Sequence, residues 1–313
     1  MRLSAAASSS VRPALAGPAR AAFCLGATPA ALYLQVTGRP GVLALLARDA
    51  VRLPCALLLP TTKAECPLDS LAPAAEYLVG DDQVAWTGPA GPVAVRVVRE
   101  WAPATVRRGT IVRGALAALR AGLPAPAAVG IDGSCLPLLT ADPPAAVARL
   151  LGCGPGLTPA GDDVLAGFLV GAAAFGSGGA PVPATTVQAT TVPAAPVQAT
   201  TVPAAPVPAT TVPSAPVPAT TVHTATVQAA TAALAPARTT ALSAALLWHA
   251  ARGECIDELA AVTAFLTQAD GQDHAALGRL MAVGHTSGAA LALGLAAAAR
   301  AALRADVAGR AAA

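Results

Sequence analysis

Residues 152–167 read GCGPGLTPAGDDVLAG. Gly152, Gly154 and Gly156 alternate ahead of Leu157, Thr158 and Pro159. Ala160, Gly161 and two adjacent carboxylates, Asp162 and Asp163, follow and lead into an apolar run. Glycines spaced this closely let backbone approach a ligand, because no Cβ intervenes. Thr158 reads as an N-cap and Pro159 as the first helical residue. A helix is therefore expected directly behind the glycines, with N–H groups aimed at whatever sits there. Asp162 and Asp163 fall in its first turns, where the helix dipole favours negative charge. Capping accounts for the Thr and the Asp residues, but not for three alternating glycines. The functional reading makes Gly154, Gly156, Thr158 and Gly161 a loop that holds an anion or amide. Asp162 and Asp163 would then orient a substrate N–H or hold a divalent cation. Neighbouring helical side chains diverge by about 100°, so the two carboxylates need not share a ligand.

The setting of this stretch excludes two nucleotide-binding explanations. Asp142, Pro143 and Pro144 resemble an N-cap followed by an N1 proline, starting a helix that Gly152 ends. The glycines thus lie between two helices, whereas a dinucleotide fingerprint needs a strand in front and its third glycine one position later. No Gly-Lys-Ser/Thr follows, so the loop is not a P-loop.

A second stretch repeats the design. Gly284, His285, Thr286, Ser287 and Gly288 stand just before the last long helix. One reading is a glycine-flanked turn with a capping hydroxyl. The other is a second anion-binding helix start, with Gly284, Thr286, Ser287 and Gly288 around the ligand and His285 as donor or proton carrier. Ser287 does not sit on a Gly-x-Ser-x-Gly elbow, since no strand leads into it. His249 falls on an apolar helix face and reads as a satisfied core or boundary histidine. His274 lies among polar residues near a helix start. His223 falls in low-complexity sequence. Cys153 reads as small filler in the glycine loop.

Outward from these motifs the chain divides into an α+β arrangement. Residues 1–19 carry little pattern and are expected to be flexible. Residues 20–102 read as a β-rich, antiparallel domain, with alternation in ALYLQV (31–36) and VAVRVV (93–98). From 103 to 176 the signal is helical, including a face of Ile111, Ala115, Leu116 and Leu119 over 106–121. Residues 177–238 repeat Thr-Thr-Val every ten residues with two or three prolines per unit, and read as a disordered Thr/Pro/Ala insertion. Residues 239–313 return to helices.

Composition narrows the function classes. Of 313 residues 55% are hydrophobic and 12% charged, the net charge is +3 and aromatics are 3%. A large alanine-rich core is available, and no basic, aromatic-interleaved patch points to nucleic acid. The six cysteines are scattered without a CxxC pair, which fits a reducing cytoplasm and gives no zinc or disulfide framework. The apolar runs read as too short to span a bilayer.

GCGPGLTPAGDDVLAGFL, TTALSAALLWHAARGE and GHTSGAALALGL occur in the order of a bacterial domain-of-unknown-function family that includes the AllH-type subunit of oxamate carbamoyltransferase, and the chain resembles that family. LLARDAVRLPCALLL contributes from the N-terminal part, and the resemblance covers residues 20–176 and 238–304. The resemblance implies carbamoyl transfer between phosphate and oxamate in allantoin-type purine catabolism, with AllF-type and AllG-type partner subunits. Oxamate, oxalurate and carbamoyl phosphate are anions, which suits two helix starts, and carbamoyl transfer passes through a tetrahedral oxyanion that fixed donors stabilise. On chemical grounds His285, Asp162 and Asp163 are the catalytic candidates. The alternatives are a non-catalytic ligand-binding or assembly subunit, and a metal-assisted enzyme using Asp162 and Asp163. No resident metal or other cofactor is otherwise expected.

Overall fold

The computed structural model describes residues 1–38, 41–72, 76–176, 219–268, 273 and 275–311. Residues 177–218 of the repeat, and His274, lie outside them. The chain is α+β, a closed barrel followed by helices.

Short apolar stretches separated by turns fold into β1 (Arg2–Ser8), β2 (Arg20–Thr28), β3 (Ala31–Val36), β4 (Val42–Leu46), β5 (Ala56–Leu58), β6 (Tyr77–Gly80), β7 (Gln83–Gly88) and β8 (Gly91–Trp101), with the one-turn helices α1 (Arg12–Leu15) and α2 (Leu68–Leu71) between them. The strands close in the order β1-β5-β4-β3-β2-β6-β7-β8. The expected antiparallel pairing holds for most neighbours, but β1–β8 and β4–β5 are parallel. The expectation that residues 1–19 are flexible is corrected: β1 is the strand that closes the barrel, bonded to β8 on one side and β5 on the other. Its sequence, RLSAAAS, has small side chains and gives almost no periodic signal, yet Ala5, Ala7 and Ser8 are buried. Cross-strand partners Tyr77 and Trp86 close one region of the core: the Tyr77 hydroxyl donates to the Ala72 carbonyl and the Trp86 indole N–H to that of Leu71 (2.7 Å).

The second part comprises β9 (Ala104–Thr105), α3 (Arg113–Ala121), α4 (Cys135–Ala141), α5 (Pro143–Leu150), α6 (Ala160–Phe175), α7 (Ala219–Arg238), α8 (Ala241–Ala250), β10 (Glu254–Cys255), α9 (Asp257–Thr267), α10 (Ala276–Met281) and α11 (Ser287–Ala311). Asp142 caps α5 by accepting from the Ala145 N–H, as its sequence indicates. Residues 106–112 were expected to be helical. They form no helix, because the N–H groups of Val106, Gly109 and Val112 are taken by the carbonyls of Gly253, Ala174 and Leu266. The assignment of 225–238 to the disordered insertion is also corrected. Proline is absent between Pro218 and Pro236, so helical hydrogen bonds can form. Val227, Thr231 and Ala235, each four residues on, bury one face.

At the centre α6 and α11 run side by side in the same direction. Gly167 lies against the Leu291 backbone, Gly294 against that of Val164, and Gly171 against Ala298. Residues Ser287–Ala308 form one helix long and apolar enough to cross a membrane. Here much of that length is the core partner of α6.

Several contacts fasten the parts together. α8 packs on β4, which is buried at all five positions because its outer face is covered too, and Leu242 and Ala245 of α8 join the barrel's apolar cluster. His249 at the end of α8 meets Glu254 (Nδ1···Oε2 2.6 Å), and Ser10 from the turn after β1 donates to the same carboxylate oxygen (3.1 Å). His249 is thus the satisfied boundary histidine its apolar setting predicts.

Candidate functional site

Gly152, Gly154 and Gly156 all have φ between +76° and +117°, the left-handed region that side chains with a Cβ disfavour. Gly152 has a second constraint, since a Cβ there would stand 2.1 Å from the Arg238 carbonyl oxygen. Gly154, Pro155 and Gly156 are exposed at the tip of the loop. Leu157 turns inward and packs on Gly26 of the barrel strand β2. Its carbonyl accepts the Thr240 hydroxyl (2.6 Å), so the loop is seated on both the barrel and α8.

α6 opens one residue later than Thr158 capping would place it. Pro159 occupies the N-cap and Thr158 makes no capping bond. The first amides are also used internally: Gly161 N–H donates to the Cys153 carbonyl, and those of Asp162 and Asp163 to Pro159. This corrects the expectation that these amides hold an anion. Freed from capping, Thr158 places its Oγ1 3.4 Å from Ser287 Oγ at the start of α11. The two glycine-bearing loops, far apart in sequence, therefore meet.

The adjacent carboxylates have separate jobs. Asp162 Oδ1 accepts the Gly152 N–H (2.7 Å) and Oδ2 accepts the Thr239 hydroxyl. Oδ1 thus holds the glycine loop to α6, and Oδ2 ties that helix to the junction of α7 and α8. Thr239 belongs to a Thr-Thr pair whose sequence signals only helix capping. Asp163 is buried, and its Oδ2 has no hydrogen-bond partner among the described residues. Its carboxyl is pushed up to about 7: burial is the main cause, hydrogen bonding by Ser287 offsets part of it, and the Asp162 charge adds to it. Among the described residues no group of three or more His, Cys, Asp or Glu could hold a metal ion.

On the second loop Gly284 (φ +60°) and His285 are exposed, while Thr286 and Ser287 are half-buried. Gly161 and Gly288 do not line an open site as expected. A Cβ on Gly161 would meet the Leu150 carbonyl oxygen at 1.9 Å, and one on Gly288 that of Leu280 at 1.8 Å. These glycines let α6 and α11 fold tightly onto the ends of α5 and α10. The small polar groups left at the junction are Thr158, Ser287 and Asp163, with Thr286 and His285 on the same short loop.

Residues 150–205 and 212–299 match the model of the family described as oxamate carbamoyltransferase subunit AllH. These residues are AllH-like. The match begins at the end of α5 and runs into α11, so it takes in both loops and leaves the barrel outside. The resemblance expected for residues 20–149 lies beyond it. Within the AllH-like region the match enters the repeat from both sides and breaks at 206–211. No curated protein and no solved structure matches the chain.

Proposed function

We propose that this chain is an AllH-like subunit of a cytoplasmic carbamoyltransferase, binding a small anionic substrate of the oxamate, oxalurate or carbamoyl phosphate type where α6 and α11 begin. The observation that carries the reading is the 3.4 Å approach of Thr158 to Ser287, with the buried Asp163 carboxyl beside them. Two parallel helices present the positive ends of their dipoles to one place. Hydroxyl groups there can donate to an anion, and His285 on the adjoining loop supplies a donor for the oxyanion that forms as phosphate attacks the carbamoyl carbon. Asp163 supplies a carboxyl that changes protonation near neutrality, as a proton-transfer group must. AllF-type and AllG-type subunits complete the enzyme.

The test is oxalurate phosphorolysis by the chain alone and with candidate partner subunits. Wild type is expected to be active in the assembled enzyme, with His285→Ala and Ser287→Ala lowering kcat/KM about 100-fold. Assembly with partners together with full activity of both variants would reduce the chain to an assembly subunit.

A further inference from the structure

The pair α5–α6 and the pair α10–α11 are built alike. In each, the second helix has glycine at its second position, packed on a leucine carbonyl of the first: Gly161 on Leu150, Gly288 on Leu280. In each, that glycine's N–H donates to the residue three beyond the leucine, Cys153 or Val283. One helical stretch later the contacts become reciprocal. Gly167 faces the Leu291 carbonyl and Gly294 the Val164 carbonyl, so closely that a Cβ would stand 2.0 and 1.9 Å from those oxygens. Gly161, Val164 and Gly167 thus correspond to Gly288, Leu291 and Gly294 at one constant spacing, and a local two-fold axis runs between the parallel helices. The correspondence also pairs Ala160 with Ser287 and Thr158 with His285.

The side chains break this symmetry at both carboxylates: Asp162 faces Ala289 in the correspondence, but its oxygens are bonded to Gly152 and Thr239, which leaves Asp163 as the one with an unpartnered oxygen. The counterpart of Asp163 is Ala290, so the junction has a buried carboxyl on the α6 side and none on the α11 side. The free Oδ2 of Asp163 has no hydrogen-bond donor among the described residues, and an unmade bond to a buried carboxyl is costly. Ser287, which bonds the other Asp163 oxygen in the free chain, and His285 place donors on the α11 side.

We propose that Asp163 reads the N–H-bearing end of the ligand, while Ser287 and His285 take its anionic end, so that the junction selects an amide–carboxylate over a dicarboxylate. This rests on the proposed function and adds an orientation to it. Asp163 and the ligand N–H make a charge-assisted hydrogen bond. A second carboxylate at that end would face Asp163 with like charge and no donor. Asp162 is the charged neighbour of Asp163, and its oxygens are already committed to Gly152 and Thr239. Ligand entry requires the Ser287 side chain to turn aside, because Ser287 bonds the buried Asp163 carboxyl in the free chain.

Calorimetric titration with oxamate and with oxalate, on the full chain and on its assembly with partner subunits, tests this at pH 8. Wild type is expected to bind oxamate at least about ten-fold more tightly than oxalate. Asp163→Asn, whose amide can donate as well as accept, is expected to lose that preference. Equal affinity of wild type for the two ligands would overturn the orientation while leaving the site in place, and it needs no variant to fold. A preference that persists in folded Asp163→Asn would also overturn it. Absence of binding by either ligand to chain and assembly alike would overturn both this and the proposed function.

Discussion

Gly294 on α11 lies so close to Val164 on α6 that a Cβ would stand 1.9 Å from the Val164 carbonyl oxygen. No side-chain rotation relieves that contact, because it is made with backbone. Gly294→Ala must therefore push the helices apart, and Gly167→Ala must do so at the reciprocal position. Each is expected to cost about 3 kcal/mol, seen as a fall in Tm of roughly 6–12 °C in thermal unfolding. Unchanged melting in both variants would show that the helices are not packed this closely.

Asp162 is expected to behave as a structural group. Asp162→Ala leaves the Gly152 N–H and the Thr239 hydroxyl without their acceptor, at a cost of about 3 kcal/mol. Thr239→Val should cost about 1 kcal/mol and add little in the Asp162→Ala background, since its bond is already gone. Urea midpoints of the two single variants and the double variant measure this coupling.

Asp163 gives stability an unusual slope with pH. Its carboxyl has a folded-state value of about 7 against an ordinary value of 3.8. The folded chain therefore holds the proton more tightly than the unfolded chain, and the stabilisation is complete below the unfolded value. It is lost as pH rises from about 4 through 7. Asp163→Asn is expected to match wild type near pH 4 and to exceed it by several kcal/mol above pH 7. Denaturant unfolding across this range checks the sign.

Glu254 acts in the opposite direction. Burial alone would raise its carboxyl, but hydrogen bonding and charge from His249, the Ser10 hydroxyl and Arg252 together bring it below its ordinary value of 4.5. Its contribution is present above that value and is lost as pH falls through the lower folded one. Glu254→Gln is expected to lower stability by about 1–2 kcal/mol at pH 7 and to flatten the acid limb below pH 4.5. Ser10→Ala, which removes only the tie from the barrel, should show a smaller loss at pH 7 in the same urea series.

The helix over 219–238 is tested at Val227, which is fully buried. Val227→Asp places a charge in the core without a partner. It is expected to expose α7 to rapid amide exchange while β1–β8 stay protected. Hydrogen exchange followed by mass spectrometry reads both regions.

These elements show where sequence patterning carries far and where it stops. β3 was legible to the residue, because ALYLQV alternates among good strand formers. α5 was legible from Asp142 and its prolines. β1 was not, since its alanines acquire meaning only through the strands on either side. α7 was masked by a Thr-Thr-Val unit that continues past the last closely spaced proline. At the candidate site, the sequence marked both loops and both carboxylates, and the structure brings the two loops together. It could not divide the labour between Asp162 and Asp163, because that depends on Thr239 arriving from a distant helix. Nor could it separate Gly161 and Gly288, set against leucine carbonyls, from the exposed Gly154 and Gly156.

The parallel course of α6 and α11 also bears on how the gene can vary. α6 has 16 residues, so Phe175 ends about 24 Å from the two loops at 1.5 Å per residue. α7 has 20 residues and returns to the same loops at Arg238, so Ala219 begins about 30 Å away. The repeat is thus spliced between two points remote from the junction. Gain or loss of whole ten-residue units would therefore leave the loops unmoved.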